Sequence, residues 1–264
     1  MDGCDEVYNG SMSTTTTDPT NRRGELVAWA AELGHEIAVD AARHDTEGSF
    51  VSEAYDLLRS SGYLALAVPE ELGGRGATIA EVAMAQRELA HHCGSTAPDE
   101  RVLARRPHGK VDGPLQVILS VAMPPIAAVY LGVAEAARDH AVAAVVDTAK
   151  AEDPLVQRQV GLMDTRLRVA SWALDGALAV VGDDPQPSMD TVVAVMAAKR
   201  EIALAGVEVC DLAMEVGGGA AYYRSSPIER CYRDVRGAKL HPFTPEETLV
   251  HAGKVALGLP ADER

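Results

Sequence analysis

Residues 154–181 read PLVQRQVGLMDTRLRVASWALDGALAVV, and their apolar positions recur alternately four and three residues apart. These positions are Val156, Val160, Met163, Leu167, Ala170, Leu174, Ala177 and Val181. Seven residues are almost two turns of α-helix, so this spacing places the apolar side chains along one stripe. The stretch therefore predicts a long helix that packs its stripe against other helices.

A second stripe of the same kind follows in residues 189–216, at Val195, Ala198, Ile202, Ala205, Val209, Leu212 and Val216. The intervening GDDPQPS supplies a helix-stopping glycine, two prolines and a new N-cap at Ser188, which predicts an antiparallel helical hairpin. The preceding apolar run adds a third face with Ile126, Tyr130, Val133 and Ala137. Together they predict an up-and-down bundle. The alternative, an isolated coiled coil, is disfavoured because the stripes are short and interrupted by turns.

The composition favours an all-α protein. Only two Phe and two Trp occur among 264 residues, whereas strands favour aromatic and β-branched residues. The net charge of -15, from 24 basic and 39 acidic residues, argues against nucleic acid or an anionic membrane as a partner. No signal peptide, spanning apolar run or CxxC pair is apparent, so we expect a cytoplasmic protein.

His91, His92 and Cys93 are consecutive and combine residue types that bind metals. Consecutive residues of a helix point in different directions, and no second group of ligands stands nearby in the sequence. We therefore expect a solvated helix end here and no metal site.

Helix ends are marked by capping residues. The pairs Thr78–Glu81, Ser226–Glu229 and Thr244–Glu247 have the spacing of capping boxes, and Asp153 precedes a proline at a first helical position. We expect helices at 22–44, 50–61, 78–92, 115–150, 154–181, 189–216, 227–236 and 245–257.

Two stretches carry a family resemblance. Residues 62–97 read GYLALAVPEELGGRGATIAEVAMAQRELAHHCGSTA, and residues 217–241 read GGGAAYYRSSPIERCYRDVRGAKLH. Together they resemble the two helical domains of the acyl-CoA dehydrogenase family. In that family a middle β domain of about a hundred residues, an ordinary domain size, separates the helical parts. Here Pro98 to Pro114 leaves no room for it.

The resemblance implies a domain order without the β domain. We expect a disordered leader at 1–21, an N-terminal helical domain at 22–98 and a linker at 99–114. A four-helix-bundle-like domain at 115–258 and a tail at 259–264 follow.

The resemblance also implies FAD and a cofactor site. Gln159 resembles a glutamine that contacts the adenine end of the flavin, and Gly217 with Gly218 resemble glycines that let amides approach the pyrophosphate. The family arginine before that glutamine is missing, since the matching stretch is DTAKAEDP. Glu152 and Asp153 would then oppose a phosphate. The alternative for the GGGA stretch is a helix terminus that needs a positive φ.

The family motif YEGT is best matched by PEET, which places Glu246 at the position of the catalytic base and Thr248 near the flavin. The alternative is that these residues belong to the capping box opened by Thr244. Some members take the base from the first long bundle helix, where Ala122 stands here. Arg233 and Asp234 resemble the family's RD pair, and we expect them to tie the helix at 227–236 to the bundle rather than to act in catalysis.

Three functions remain open at this point. The first is an acyl-CoA dehydrogenase-like, FAD-dependent oxidation of acyl thioesters, in which a partner chain or a subunit interface replaces the missing domain. The second is a noncatalytic helical protein that assembles as a homodimer or homotetramer. The third is a flavin-dependent monooxygenase on the same fold.

Overall fold

The computed structural model describes residues 19–94 and 111–261, and these ranges contain eight α-helices and no strand. The helices are α1 (Pro19–Glu47), α2 (Ser52–Ser60), α3 (Ile79–His92), α4 (Gly113–Val145), α5 (Pro154–Val181), α6 (Met189–Gly217), α7 (Pro227–Asp234) and α8 (Pro245–Ala256). Short 3-10 turns at Tyr63–Ala65, Glu70–Leu72, Ala149–Glu152, Gly218–Tyr222 and Val235–Lys239 join them. The all-α prediction is confirmed.

The first three helices form their own core. Leu58, Leu89 and Ala30 are fully buried within a cluster that α1, α2 and α3 share. Thr78 starts α3 with the predicted capping box, in which its hydroxyl accepts from the Glu81 amide and the Glu81 carboxylate accepts from the Thr78 amide. Most of the expected leader and linker lies outside the described residues.

The bundle is built from α4, α5 and α6, whose apolar stripes meet in its interior. Met163 and Leu174 of α5 and Val209 of α6 have no exposed surface. The turn between α5 and α6 is as predicted: Gly182 has φ +63, and the Ser188 hydroxyl accepts from the Thr191 amide. The predicted hairpin is therefore present.

Several expected helix bounds and one expected cap differ from the structure. The helix expected at 115–150 ends at Val145. There the Thr148 hydroxyl donates to the Val145 carbonyl at 2.8 Å and accepts a hydrogen bond from the Lys150 amide, which starts a separate 3-10 turn. Ser226 makes no capping bond; the Glu229 carboxylate instead accepts from Arg233 Nε at 2.7 Å. α1 begins at Pro19, three residues before the expected 22.

The N-terminal helices and the bundle pack directly on each other through α3 and α4. Their backbones approach so closely at Gly132 that a Cβ there would lie 2.1 Å from the Arg87 carbonyl oxygen. The Arg87 guanidinium also pairs with Glu135 of α4 and donates to Ser171 Oγ of α5 at 3.2 Å. Within the described ranges, helix therefore packs on helix with no β layer between them.

Helix α4 is long and apolar enough to cross a membrane by length and composition, which the sequence analysis did not anticipate. More than half of its most apolar window is buried inside the protein, at 56%. A central helix of a bundle has the same properties, because it is surrounded by other helices. Its apolar character is thus explained by its place in the core.

Candidate functional site

The predicted glycine pair lies at a sharp turn. Helix α6 ends at Gly217, and Gly218 has φ +68, a left-handed conformation that residues with a Cβ rarely adopt. A Cβ on Gly217 would lie 2.8 Å from Ala221 Cβ and 3.0 Å from Ile228 Cδ1. Both glycines are therefore required by the local backbone and packing, whatever else they do.

A cleft of about 240 Å³ opens beside this turn. Its walls are His140 and Ala144 of α4, Gly217, Ala220 and Ala221 of the turn, and Ser226, Pro227 and Ile228 at the start of α7. The lining is mostly apolar with a few polar groups, as in sites for small organic ligands.

Lys150 supplies a cation at the same turn. Its Nζ lies 3.5 Å from where a Cβ on Gly218 would stand. The Asp153 carboxylate accepts from the Leu155 amide and caps α5. The DTAKAEDP segment thus brings an ammonium group to Gly218 as well as the acidic Glu152 and Asp153, whose opposition to a phosphate stays a prediction.

Gln159 lies close to the turn but is held from inside the bundle. Its side chain is 8% exposed, and Nε2 donates to Glu215 Oε2 at 2.6 Å. Glu215 stands two residues before Gly217 on α6. The structure thus connects Gln159 to the glycine turn through Glu215.

Glu246 and Thr248 lie elsewhere, on α8. The capping box at the start of α8 uses Thr244 and Glu247, with the Glu247 carboxylate accepting from the Thr244 amide at 2.8 Å. Glu246 is exposed and outside the box, so the sequence interpretation that absorbed it into the cap is wrong. Thr248 is buried and donates to the Pro245 carbonyl at 2.6 Å. Neither residue borders the glycine cleft.

Lys199 is a residue that the sequence reasoning missed. It lies on α6 with 4% of its surface exposed, and Nζ donates to the carbonyls of Phe243 at 2.7 Å, His241 at 2.9 Å and Ala238 at 3.5 Å. Burial lowers the pKa of this ammonium group to about 8, while the nearby Glu247 carboxylate raises it. The carbonyls also favour the charged form. A single lysine inside the apolar stretch VVAVMAAKREIALAGV was the available signal.

Arg233 and Asp234 do not form the expected tie to the bundle. Arg233 Nη2 instead donates to Asp45 Oδ2 of α1 at 2.7 Å, and Arg233 also pairs with Glu229. Asp234 lies against Gly94, and burial raises the pKa of its carboxyl group. The arginine therefore joins α7 to the N-terminal helices.

The histidines near the end of α3 make pairwise contacts. His91 Nε2 lies 3.5 Å from Asp139 Oδ2, and His92 Nε2 lies 3.2 Å from Glu88 Oε1. Among the residues that the structure describes, no group of three or more His, Cys, Asp or Glu side chains is arranged to hold a metal ion. Ala122 packs against the core cluster around Phe243, where it offers no acidic group.

Family models match both helical blocks. Residues 26–99 match "Acyl-CoA dehydrogenase, N-terminal domain", and residues 116–241 match "Acyl-CoA dehydrogenase, C-terminal domain". The chain is 35% identical over 133 residues to a putative acyl-CoA dehydrogenase, YdbM, of Bacillus subtilis (strain 168), covering 48% of this chain and 34% of that protein.

Two further similarities span more of the chain. The L-evernosamine nitrososynthase of a Micromonospora species is 28% identical over 253 residues, covering 91% of this chain and 57% of that protein. The solved structure of KijD3 in complex with FMN and a dTDP-linked amino sugar has a TM-score of 0.80 at 18% identity, covering 94% of this chain and 97% of that chain. The matched part of this chain thus spans 34% of the length of YdbM and 57% of the length of the L-evernosamine nitrososynthase.

Proposed function

Because the chain belongs to the acyl-CoA dehydrogenase family, we propose that it provides the helical part of a flavin-dependent oxidoreductase. The phosphate end of the flavin would lie at Gly218 and Lys150. The observation that carries this proposal is the turn itself, where the left-handed Gly218 and the Lys150 ammonium group stand next to Gly217, which lines the cleft. Exposed backbone amides and lysine are common ligands of phosphate groups.

When bound, a flavin supplies the two-electron redox chemistry that this family uses. The residues of this chain would bind and orient it. Gly217 and Gly218 let the backbone approach the phosphate, Lys150 balances its charge, and Gln159 fixes the last turn of α6 through Glu215. Both FAD and FMN carry the required phosphate, so the site suits either.

The cofactor proposal is tested by titrating the purified chain with FAD and with FMN and following quenching of flavin fluorescence. We expect saturable quenching that weakens about tenfold in Lys150→Gln, because a charge-assisted bond to phosphate is lost. Lys254→Gln, on α8, is the matched control and should bind like the parent. Equal curves for the parent and Lys150→Gln, or no quenching by either flavin, would contradict the proposal.

For the reaction, we propose oxygen-dependent oxidation of a small substrate rather than dehydrogenation of a thioester. Supporting it, a curated relative that aligns over 91% of this chain is named a nitrososynthase, and Ala122 places no carboxylate at the alternative base position on α4. The test is oxygen consumption after addition of chemically reduced FMN and an amino sugar, compared with the flavin alone. Identical consumption with and without the protein would rule the proposal out.

Acyl-CoA dehydrogenation is the second candidate, and Glu246 favours it because its carboxylate is not committed to the α8 cap. On this proposal Glu246 is the base and Thr248 lies near the flavin. Glu246→Gln should abolish dye reduction by acyl-CoA without changing the melting temperature, whereas Glu247→Ala should lower the melting temperature by breaking the capping box. Dye reduction that survives in Glu246→Gln excludes the assignment.

Assembly completes the proposal. A flavin ring is shielded from water in such reactions, so we propose that a partner chain or a second copy covers the ring. Trp172, Val169 and Val180 on the outer face of α5 are 64%, 50% and 53% exposed, which suits a homodimer or homotetramer. Sizing with light scattering tests this, and a monomer at micromolar concentration would contradict homo-oligomerisation. If the monomer also lacks flavin, the noncatalytic alternative is favoured.

A further inference from the structure

Three polar side chains are joined at the connection between α1 and α2. Ser49 Oγ lies 2.8 Å from His44 Nδ1, and His44 Nε2 lies 2.8 Å from Glu53 Oε2. His44 is 5% exposed on the last turn of α1, Ser49 is exposed on the connection, and Glu53 lies in the first turn of α2. A hydroxyl, an imidazole and a carboxylate in this order are the parts of an activated serine nucleophile.

The groups around the imidazole favour one position for its proton. The pKa of Glu53 is lowered to about 2, first by its own backbone amide and then by hydrogen bonds from Arg43 and Ser52. An ionised carboxylate can only accept, so the 2.8 Å contact with Glu53 favours the tautomer of His44 with its proton on Nε2; the Arg43 guanidinium lies farther from the same nitrogen, at 3.2 Å. The lone pair on Nδ1 is then directed at the Ser49 hydroxyl. Glu47 Oε2 competes for that hydroxyl at 3.2 Å, but the imidazole contact is shorter.

His44 and Glu53 line a cavity of about 200 Å³. Ile37, Val51, Ala54 and Leu57 form its apolar lining, and Glu36, Asp40, His44 and Glu53 form its polar lining. The acidic groups disfavour anionic ligands such as CoA thioesters or phosphates. The cavity therefore suits a short, uncharged or cationic acyl compound.

We propose that Ser49, His44 and Glu53 form a second site, which hydrolyses small neutral or cationic carboxylic esters. Ser49 Oγ attacks the ester carbonyl carbon and passes its proton to His44 Nδ1. The bond to the alcohol oxygen breaks, and that oxygen takes the proton from His44. Water then attacks the acyl-serine, releasing the carboxylic acid and restoring the Ser49 hydroxyl. No electrons are exchanged and no flavin is needed.

The first test uses the full chain without flavin. 4-Nitrophenyl acetate measures turnover, and phenylmethylsulfonyl fluoride followed by peptide mass spectrometry locates the nucleophile. We expect hydrolysis above the buffer rate and a single adduct on Ser49. Ser49→Ala should lose both, whereas Ser60→Ala, an exposed serine of α2, should keep both. No hydrolysis by the parent, an adduct elsewhere, or unchanged hydrolysis in Ser49→Ala overturns the proposal.

The second test separates the carboxylate's effect on the imidazole from a structural role. In Glu53→Gln the amide can donate to Nε2 and favour the tautomer with its proton on Nδ1, so turnover should fall roughly 100-fold. Circular dichroism establishes that the variant is folded, and Arg59→Gln on the same helix is the control. Acetylthiocholine should be hydrolysed faster than acetyl-CoA. A folded Glu53→Gln variant with parental turnover, or a preference for acetyl-CoA, contradicts the proposal. Because flavin is absent throughout, either result is independent of the flavin titration above.

Discussion

Lys199 Nζ donates to the backbone carbonyl of Phe243 at 2.7 Å, across 44 residues of sequence. Because the same ammonium group also reaches the carbonyls of His241 and Ala238, one side chain of α6 fixes the segment that leads into α8. Glu246 follows this segment by three residues. The position of the proposed base therefore depends on a lysine in another helix.

Replacing Lys199 by Met should lower the free energy of unfolding by about 2–4 kcal/mol, since buried carbonyls lose a charged donor. Urea denaturation followed by circular dichroism measures the change. Arg168→Ala, at an exposed site of α5, is the control and should stay within about 0.5 kcal/mol of the parent. A Lys199→Met variant as stable as the parent would show that these bonds contribute nothing net.

Gly132→Ala should be strongly destabilising. The added Cβ would lie 2.1 Å from the Arg87 carbonyl oxygen, so α3 and α4 must separate, at a cost of about 1–3 kcal/mol or more. Gly176→Ala is the matched control, because a Cβ at Gly176 of α5 meets nothing within 4 Å. It should stabilise the protein by about 0.5–1 kcal/mol. Urea midpoints that shift in the same direction for both variants would contradict this view of the α3–α4 contact.

The protein should become less stable as the pH falls below 6.5, because burial lowers the pKa values of His92 and His140 from that value in the folded state. The unfolded chain then binds more protons than the folded one, so the free energy of unfolding falls through this window. Above this pH window both histidines are neutral in the folded and in the unfolded chain, so they do not change the free energy of unfolding. Urea midpoints between about pH 7.5 and about pH 5.5 measure the slope, and the double variant His92→Gln, His140→Gln should flatten it. An equal slope in the double variant would assign the effect to other groups.

Arg233 and Asp45 should show a small favourable coupling. Their side chains are 37% and 17% exposed, so solvent screening limits the pair to about 1 kcal/mol or less. A double-mutant cycle with Arg233→Gln and Asp45→Asn measures the coupling from urea denaturation. Each single variant should be less stable than the parent, and the double variant should lose less stability than the sum of the two single losses. Strictly additive losses would mean that the ion pair contributes no interaction energy.

Several local features were predictable because neighbouring residues decide them. Thr78 with Glu81, Thr244 with Glu247, and Ser188 cap their helices as expected, since each bond spans three residues. Ser226 was the exception. Its intended partner, Glu229, is four residues from Arg233 on the same helix and bonds to that stronger donor instead.

The candidate sites were less predictable, because their members come from distant parts of the chain. Lys150 reaches Gly218, and Gln159 reaches Glu215 at a separation of 56 residues. The motif match placed Glu246 at the position of the catalytic base, but α8 holds it exposed and away from the glycine cleft. Ser49, His44 and Glu53 lie close in sequence, yet their contact depends on the sharp connection that follows Gly48, which has φ +63.

The sequence by itself determined the helices, the α5–α6 hairpin and the family, since helical periodicity, capping and motifs are encoded over a few turns of chain. Only the tertiary structure decided which group each long charged side chain meets. Arg233 meets the Asp45 carboxylate, Lys199 meets the Phe243 carbonyl, and Lys150 meets the backbone at Gly218. The physical reason is range. Backbone hydrogen bonds and capping act between near neighbours, whereas the partner of a long charged side chain depends on which helix packing brings within a few ångströms.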